Sequence, residues 1–145
     1  MDTAQITASI RGRSALPTRA TTIEAVYATA HWLLARERAA DAARVFRVML
    51  GIAPRDERGW LGLGECHERI GQQRIAAELY GAGSVAAGGV HPVSVRCLVA
   101  RARALAKLDR AADVETALDA AARAAQQQGD ADLVALVESE CGRLS

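Results

Sequence analysis

The residues able to do chemistry in this chain are few, and their spacing does not converge. Three cysteines, Cys66, Cys97 and Cys141, stand far apart with no CxxC pair, and His67 is adjacent to Cys66. A zinc set could be drawn from Cys66, His67, Cys97 and another histidine. Neighbouring side chains on a helix, however, diverge by about 100°, so Cys66 and His67 cannot both face one ion. An odd number of unpaired, widely spaced thiols is instead the pattern of reduced, buried cysteines in a reducing compartment. No nucleophile sits in a recognisable elbow, no glycine loop follows a strand, and no H-E-x-x-H spacing occurs. The sequence therefore predicts no catalytic residue, no metal site and no cofactor.

What remains is binding, and composition narrows the partner. At 145 residues the chain is expected to form one domain with a real core. Half of its residues are hydrophobic but only 3% are aromatic, so alanine supplies much of the apolar count and closely packed helices are favoured. A formal net charge of +1 gives no general attraction to nucleic acid or to an anionic membrane. No apolar run approaches the roughly 18 residues of a spanning helix, and no charged-then-apolar leader follows Met1. A cytoplasmic protein that binds protein is the expectation.

The elements that would build such a binding surface are announced by a repeat. Within WLGLGECHERIGQQRIAAELY, Trp60, Leu63 and Gly64 precede Ala76 and Tyr80. This is close to the W-x2-L-G … A-x3-F order of the tetratricopeptide helix-turn-helix unit of about 34 residues. Small residues belong where two antiparallel helices touch, with large ones above and below the crossing. Counting back 34 from Gly64 and Tyr80 lands on Ala30 and Phe46, with Leu33, Ala42 and Pro54 completing a copy. Counting forward 38 lands on Ala102 and Leu118, with Leu98, Leu105 and Val114 in matching roles. The intervals Ala30 to Ala42, Gly64 to Ala76 and Ala102 to Val114 are each 12, and the large residue follows 4 later. Three copies in phase predict an all-α fold: three tandem tetratricopeptide-like repeats at about 23–56, 57–92 and 93–128, then a capping helix at 130–142.

Local signals mark the boundaries. Residues 1–20 carry three arginines and one acid, Asp2. They are expected to be a flexible tail or a short helix with Ile6, Ile10 and Leu16 on one side. Thr21 with Glu24 reads as a capping box opening the first repeat. Asp56 is placed to cap the second, Gly71 to turn between its helices, and Pro92 to sit in the first turn of the third. Gly81, Gly83, Gly88 and Gly89 should loosen the end of repeat two. Gly129 should stop the sixth helix and Asp130 cap the last, whose acids, Asp132, Glu138 and Glu140, would solvate the end of the array.

Position within the repeat selects the residues of a concave groove. The first helices of the repeats line it, and their positions 2, 5, 9 and 12 face inward once the packing positions are taken. These are Glu24, Tyr27, His31 and Leu34, then Arg58, Leu61, Glu65 and Glu68, then Arg96, Val99, Arg103 and Ala106. An extended peptide with spaced apolar anchors and some charge would fit such a surface. Tyr27, Leu34, Leu61 and Val99 are the expected anchor sites, with Arg96 and Arg103 setting direction.

YATAHWLLARERAADAARVFRVML, then WLGLGECHERIGQQRIAAELYGAG and HPVSV, resembles the class II chaperones of type III secretion systems over about residues 23–125. The run Leu61 to Gly64, the run Ile70 to Gln72 and the short link to Pro92 are its more specific parts. The resemblance implies a three-repeat helical protein of the bacterial cytosol. It would hold a short, extended, proline-containing segment of a translocator in its concave groove before export. It also implies a possible homodimer through the N-terminal region, and neither cofactor nor catalysis. The family's aromatic groove positions in the first helix fall on Tyr27, His31 and Leu34, of which Tyr27 keeps the ring. A repeat scaffold, or a chaperone for another secretion component such as the needle subunit, is the alternative. A carboxylate clamp would want Lys and Asn at positions 5 and 9, where Tyr27 and His31 stand.

Overall fold

Seven helices make up the computed structural model, which describes residues 16–88 and 90–145; the expectations for residues 1–15 lie outside it. They are α1 (Arg19–Ala35), α2 (Ala39–Ile52), α3 (Glu57–Arg69), α4 (Gln73–Ala86), α5 (Val95–Ala106), α6 (Ala111–Gln128) and α7 (Ala131–Leu144), with no strand among the described residues. Each helix packs on the next, and α1 on α3, α3 on α5 and α5 on α7 also touch. This is the arrangement of three tetratricopeptide-like hairpins in tandem, with α7 standing where the first helix of a further repeat would stand.

The turns inside the three hairpins are one motif repeated. Glu37, Gly71 and Asp109 all adopt left-handed backbone, at φ 60°, 80° and 56°. The amide of the following residue reaches back five residues each time: Arg38 to the Leu33 carbonyl at 3.0 Å, Gln72 to His67 at 2.8 Å, Arg110 to Leu105 at 3.2 Å. These bonds satisfy carbonyls that the helix end would leave orphaned. Only the middle copy has the residue that this backbone suits, since a side chain in the left-handed region clashes with its own carbonyl.

The first helix of each hairpin and α7 start at side-chain caps, whereas α2, α4 and α6 have none. Asp56 accepts the Arg58 amide at 3.1 Å, Ser94 that of Cys97 at 3.3 Å, and Asp130 those of Asp132 and Leu133 at 3.0 and 3.2 Å. Two starts differ from expectation. The cap of α1 is Thr18, whose hydroxyl accepts the Thr21 amide at 3.1 Å. Thr21 therefore lies inside the helix, and the Glu24 carboxylate goes to Arg58 instead. Pro92 precedes α5, because Ser94 takes the cap and its amide is anchored on the Ser84 carbonyl at 2.7 Å.

Three apolar clusters run along the array. The first joins Ala30, Leu34, Ala42, Phe46 and Met49 to Leu63 and Cys66 of the next repeat; the second joins Tyr80 to Ala102, Leu105 and Leu118; the third joins Leu98 and Val99 to Leu133 and Val137 of α7. Fully burying a side chain such as Phe46 or Met49 contributes roughly 1.5–3 kcal/mol. Close approach is what lets them pack. A Cβ on Gly62 would lie 2.2 Å from the Phe46 ring, and one on Gly64 would lie 2.1 Å from the Tyr80 ring. Helix α3 is thus seated between one aromatic from α2 and one from α4. Gly83 does not loosen α4: the helix runs past it to Ala86, because Trp60 occupies the space a side chain would need.

Two substitutions test this account. Gly64→Ala should cost roughly 1–3 kcal/mol by overpacking against Tyr80 and lower the melting temperature by several degrees. Glu37→Gly should raise stability by about 0.5–1 kcal/mol by relieving left-handed backbone. Thermal melts followed by circular dichroism would check both, and an unchanged Gly64→Ala melt would refute the assigned crossing.

Candidate peptide-binding face

The first helices of the hairpins, α1, α3 and α5, and then α7, place their side chains along one face. At its first-repeat end Arg58 organises the surface. Its guanidinium donates to Asp56 at 3.0 and 2.7 Å and to Glu24, one repeat earlier, at 3.1 and 2.6 Å. It also lies 4.6 Å above the Tyr27 ring. Hydrogen bonds from Arg58 hold the Glu24 and Asp56 carboxyls below the usual carboxylate range, against the opposing effect of burial. His31 is exposed, with its ring 5.9 Å from that of Tyr27. Tyr27 is half-buried, its other edge turned to Phe46 at 6.4 Å.

Farther along, α3, α5 and α7 enclose an open recess of about 760 Å³. Leu61, Ala100, Ala106 and Leu144 give it an apolar floor, while Glu65, Glu68, Arg103, Lys107 and Arg143 stand around it. These charges are matched within the chain. Arg69 donates to Glu65 at 2.7 Å, Tyr80 to Glu68 at 3.1 Å, and Lys107 lies 3.6 Å from Glu68. Arg103 grips Glu140 of α7 through Nε at 2.9 Å and Nη2 at 2.7 Å, and Arg143 adds a further bond at 3.0 Å. Those bonds from Arg103, opposed by burial and aided by Arg143, hold the Glu140 carboxyl down to about 2.

The expected groove residues thus divide. Glu24, Tyr27, His31 and Arg58 come together at one end, and Leu61, Glu65, Glu68, Arg103 and Ala106 at the recess. Leu34 and Val99 are corrections: they are 4% and 2% exposed and lie in the core. Leu34 packs with Ala42, Phe46 and Cys66, and Val99 belongs to the cluster that includes Leu133 and Val137 of α7. Arg96 is exposed, but its guanidinium is engaged at 3.1 Å by Glu57, which Ser94 also holds at 2.7 Å. Glu140 is a further correction, since only 3% of it is exposed and it solvates nothing. Its burial had a signal: it lies ten residues after its cap Asp130, as Cys66 does after Asp56 and Ala104 after Ser94, and both of those have no exposed surface.

The thiols are all unpaired, with Cys66 and Cys97 buried and Cys141 half-buried. Burial pushes both Cys66 and Cys97 up to about 11. Among the described residues no group of three or more His, Cys, Asp or Glu could hold a metal ion, and no helix is long and apolar enough to cross a membrane.

No protein-family model and no curated protein matches the chain, so likeness has to be read from solved structures. The fold is that of the type III secretion translocator chaperones. It matches SycD of Yersinia enterocolitica in complex with a peptide of the translocator YopD, at 26% identity over 85% of this chain and 92% of the other, with TM-score 0.67. An alternative dimer of SycD matches at 25% identity over 85% and 91%, with TM-score 0.68. PcrH, a Pseudomonas aeruginosa protein, in complex with the chaperone binding region of PopB matches at 22% identity over 87% and 98%, with TM-score 0.69, a likeness of fold.

Two measurements follow from the geometry. A thiol reagent at pH 8 should modify Cys141 first, with Cys66 and Cys97 reacting only as the protein unfolds. The carboxyl of Glu140 is depressed in the fold, so its stabilising contribution is complete above its ordinary value of 4.5 and is lost as pH falls towards about 2. Glu140→Gln should be roughly 1–3 kcal/mol less stable at neutral pH and should lose that acid-limb slope in denaturant titrations.

Proposed function

We propose that this chain is a cytoplasmic type III secretion chaperone that holds an extended segment of a translocator on its concave face before export. The observation that carries the reading is the match across nearly the whole of both chains to SycD bound to a translocator peptide. The face supports it physically. A translocator must enter a membrane and therefore exposes apolar segments that aggregate in water; covering them requires an apolar floor with a polar surround. Leu61 and its neighbours supply such a floor, and the bound segment needs no reacting group, metal or cofactor. In this reading Tyr27, His31 and Arg58 contact the segment at one end, and Leu61, Glu65, Glu68 and Arg103 at the other. A homodimer of the kind found for SycD fits the same reading.

The test is co-expression with each translocator of the host's secretion system and recovery of the complex. Leu61→Glu should cut retention by about tenfold or more, and Tyr27→Ala should weaken it similarly, because centrally buried anchors dominate such interfaces. Helicity should stay near wild type in both. Glu138→Ala, on the exposed side of α7, should bind normally. Equal retention by all of them would remove the concave face from the mechanism.

A further inference from the structure

The last helix is fixed to the recess in an unusual way. Its first half is anchored by Leu133 and Val137 in the third apolar cluster. Its second half is undercut on both sides, by the recess of about 760 Å³ and by a second cavity of about 480 Å³ lined by Val114, Leu118 and Cys141. Leu144 and Ala106 line both spaces, so the end of α7 is the wall between them. What holds that wall from the recess side is the Glu140 carboxylate on the fork of Arg103, a groove residue whose own side chain remains 43% exposed.

We propose that Glu140 is an internal stand-in for an acidic side chain of the client, and that client binding exchanges one carboxylate for the other on Arg103. The proposal rests on the function argued above and adds to it the chemistry of the bound segment: an apolar anchor with an Asp or Glu beside it. The exchange is balanced. Arg103 keeps a carboxylate partner throughout, so no buried charge is left alone. Glu140 leaves with Arg143, whose side chain is 62% exposed and can follow it into water. The space vacated by Leu144 joins the two cavities, giving the client's anchor a deeper seat than the recess alone provides. In the free protein, the same contact keeps an apolar groove partly covered.

The probe is the translocator peptide that the wild type retains, compared with the same peptide bearing Gln and Asn in place of its Glu and Asp. For the wild type, the amide peptide should bind roughly tenfold or more weakly, the loss of one charge-assisted pair. Glu140→Gln should bind the acidic peptide about three- to tenfold tighter than wild type, because the competing internal carboxylate is gone. Arg103→Met should bind both peptides weakly and alike. A second readout needs no client: hydrogen exchange in free Glu140→Gln should quicken more in residues 138–144 than in 131–137. Indifference to the amide peptide, no tightening by Glu140→Gln, or unchanged exchange at the end of α7 would each overturn the exchange. Failure of the wild type to retain any translocator would instead count against the chaperone reading, leaving the hydrogen-exchange result to decide whether Glu140 is a latch.

Discussion

The array depends on one close approach, the seating of α3 between Phe46 and Tyr80 with no side chain at Gly62 or Gly64. Glycine inside a helix costs roughly 1 kcal/mol relative to alanine, so two of them in one turn is a standing penalty. The penalty is offset by two aromatic rings, 1% and 3% exposed, that lie against bare backbone. Were α3 pushed away from its neighbours, the spacing of α1, α3 and α5 would change with it, and the concave face is made of little else. In a chain so poor in aromatics, the two best-buried rings are spent on holding the middle repeat, and Tyr27 is left to the Arg58 end of the concave face.

A second layer of organisation is electrostatic and runs between repeats. Glu24 reaches Arg58, Glu57 reaches Arg96, Glu68 reaches Lys107 and Arg103 reaches Glu140, so each first-position helix is tied to the next by an ion pair. Apart from the one at buried Glu140, such pairs are largely exposed and add little stability singly. Their larger effect is on recognition, since they leave few free charges to attract a partner and make polar contacts an exchange of partners. That fits a surface whose lasting attraction for an unfolded segment is apolar, with charge selecting among candidates.

Much of this was legible in the chain because it is set by local geometry. The 34- and 38-residue periods, the small residues at Ala30, Gly64 and Ala102, the turn at Gly71, the caps at Asp56 and Asp130 and the stop at Gly129 all express helix pitch and helix-end hydrogen bonding. The same reasoning missed Thr18 by one turn, because two threonines offer equivalent hydroxyls and only the path of the preceding backbone chooses between them. It also assembled nine of the twelve residues expected on the candidate face, since Tyr27, Leu61, Arg103 and their companions follow from their places in the repeat.

What the sequence by itself determined, then, was the count of helices, their phase and the face that each repeat presents, because periodicity is written into every turn. Tertiary structure decided which members of that face remain available. Leu34 and Val99 have groove positions by count, yet Leu34 packs into the first repeat's core and Val99 into the cluster completed by α7. Glu140 reads as a surface acid, yet it is buried because Arg103, 37 residues earlier, reaches across to it. Its place ten residues after Asp130 marks it as inward-facing, but which residue covers it is decided only by the packing of α7 on α5.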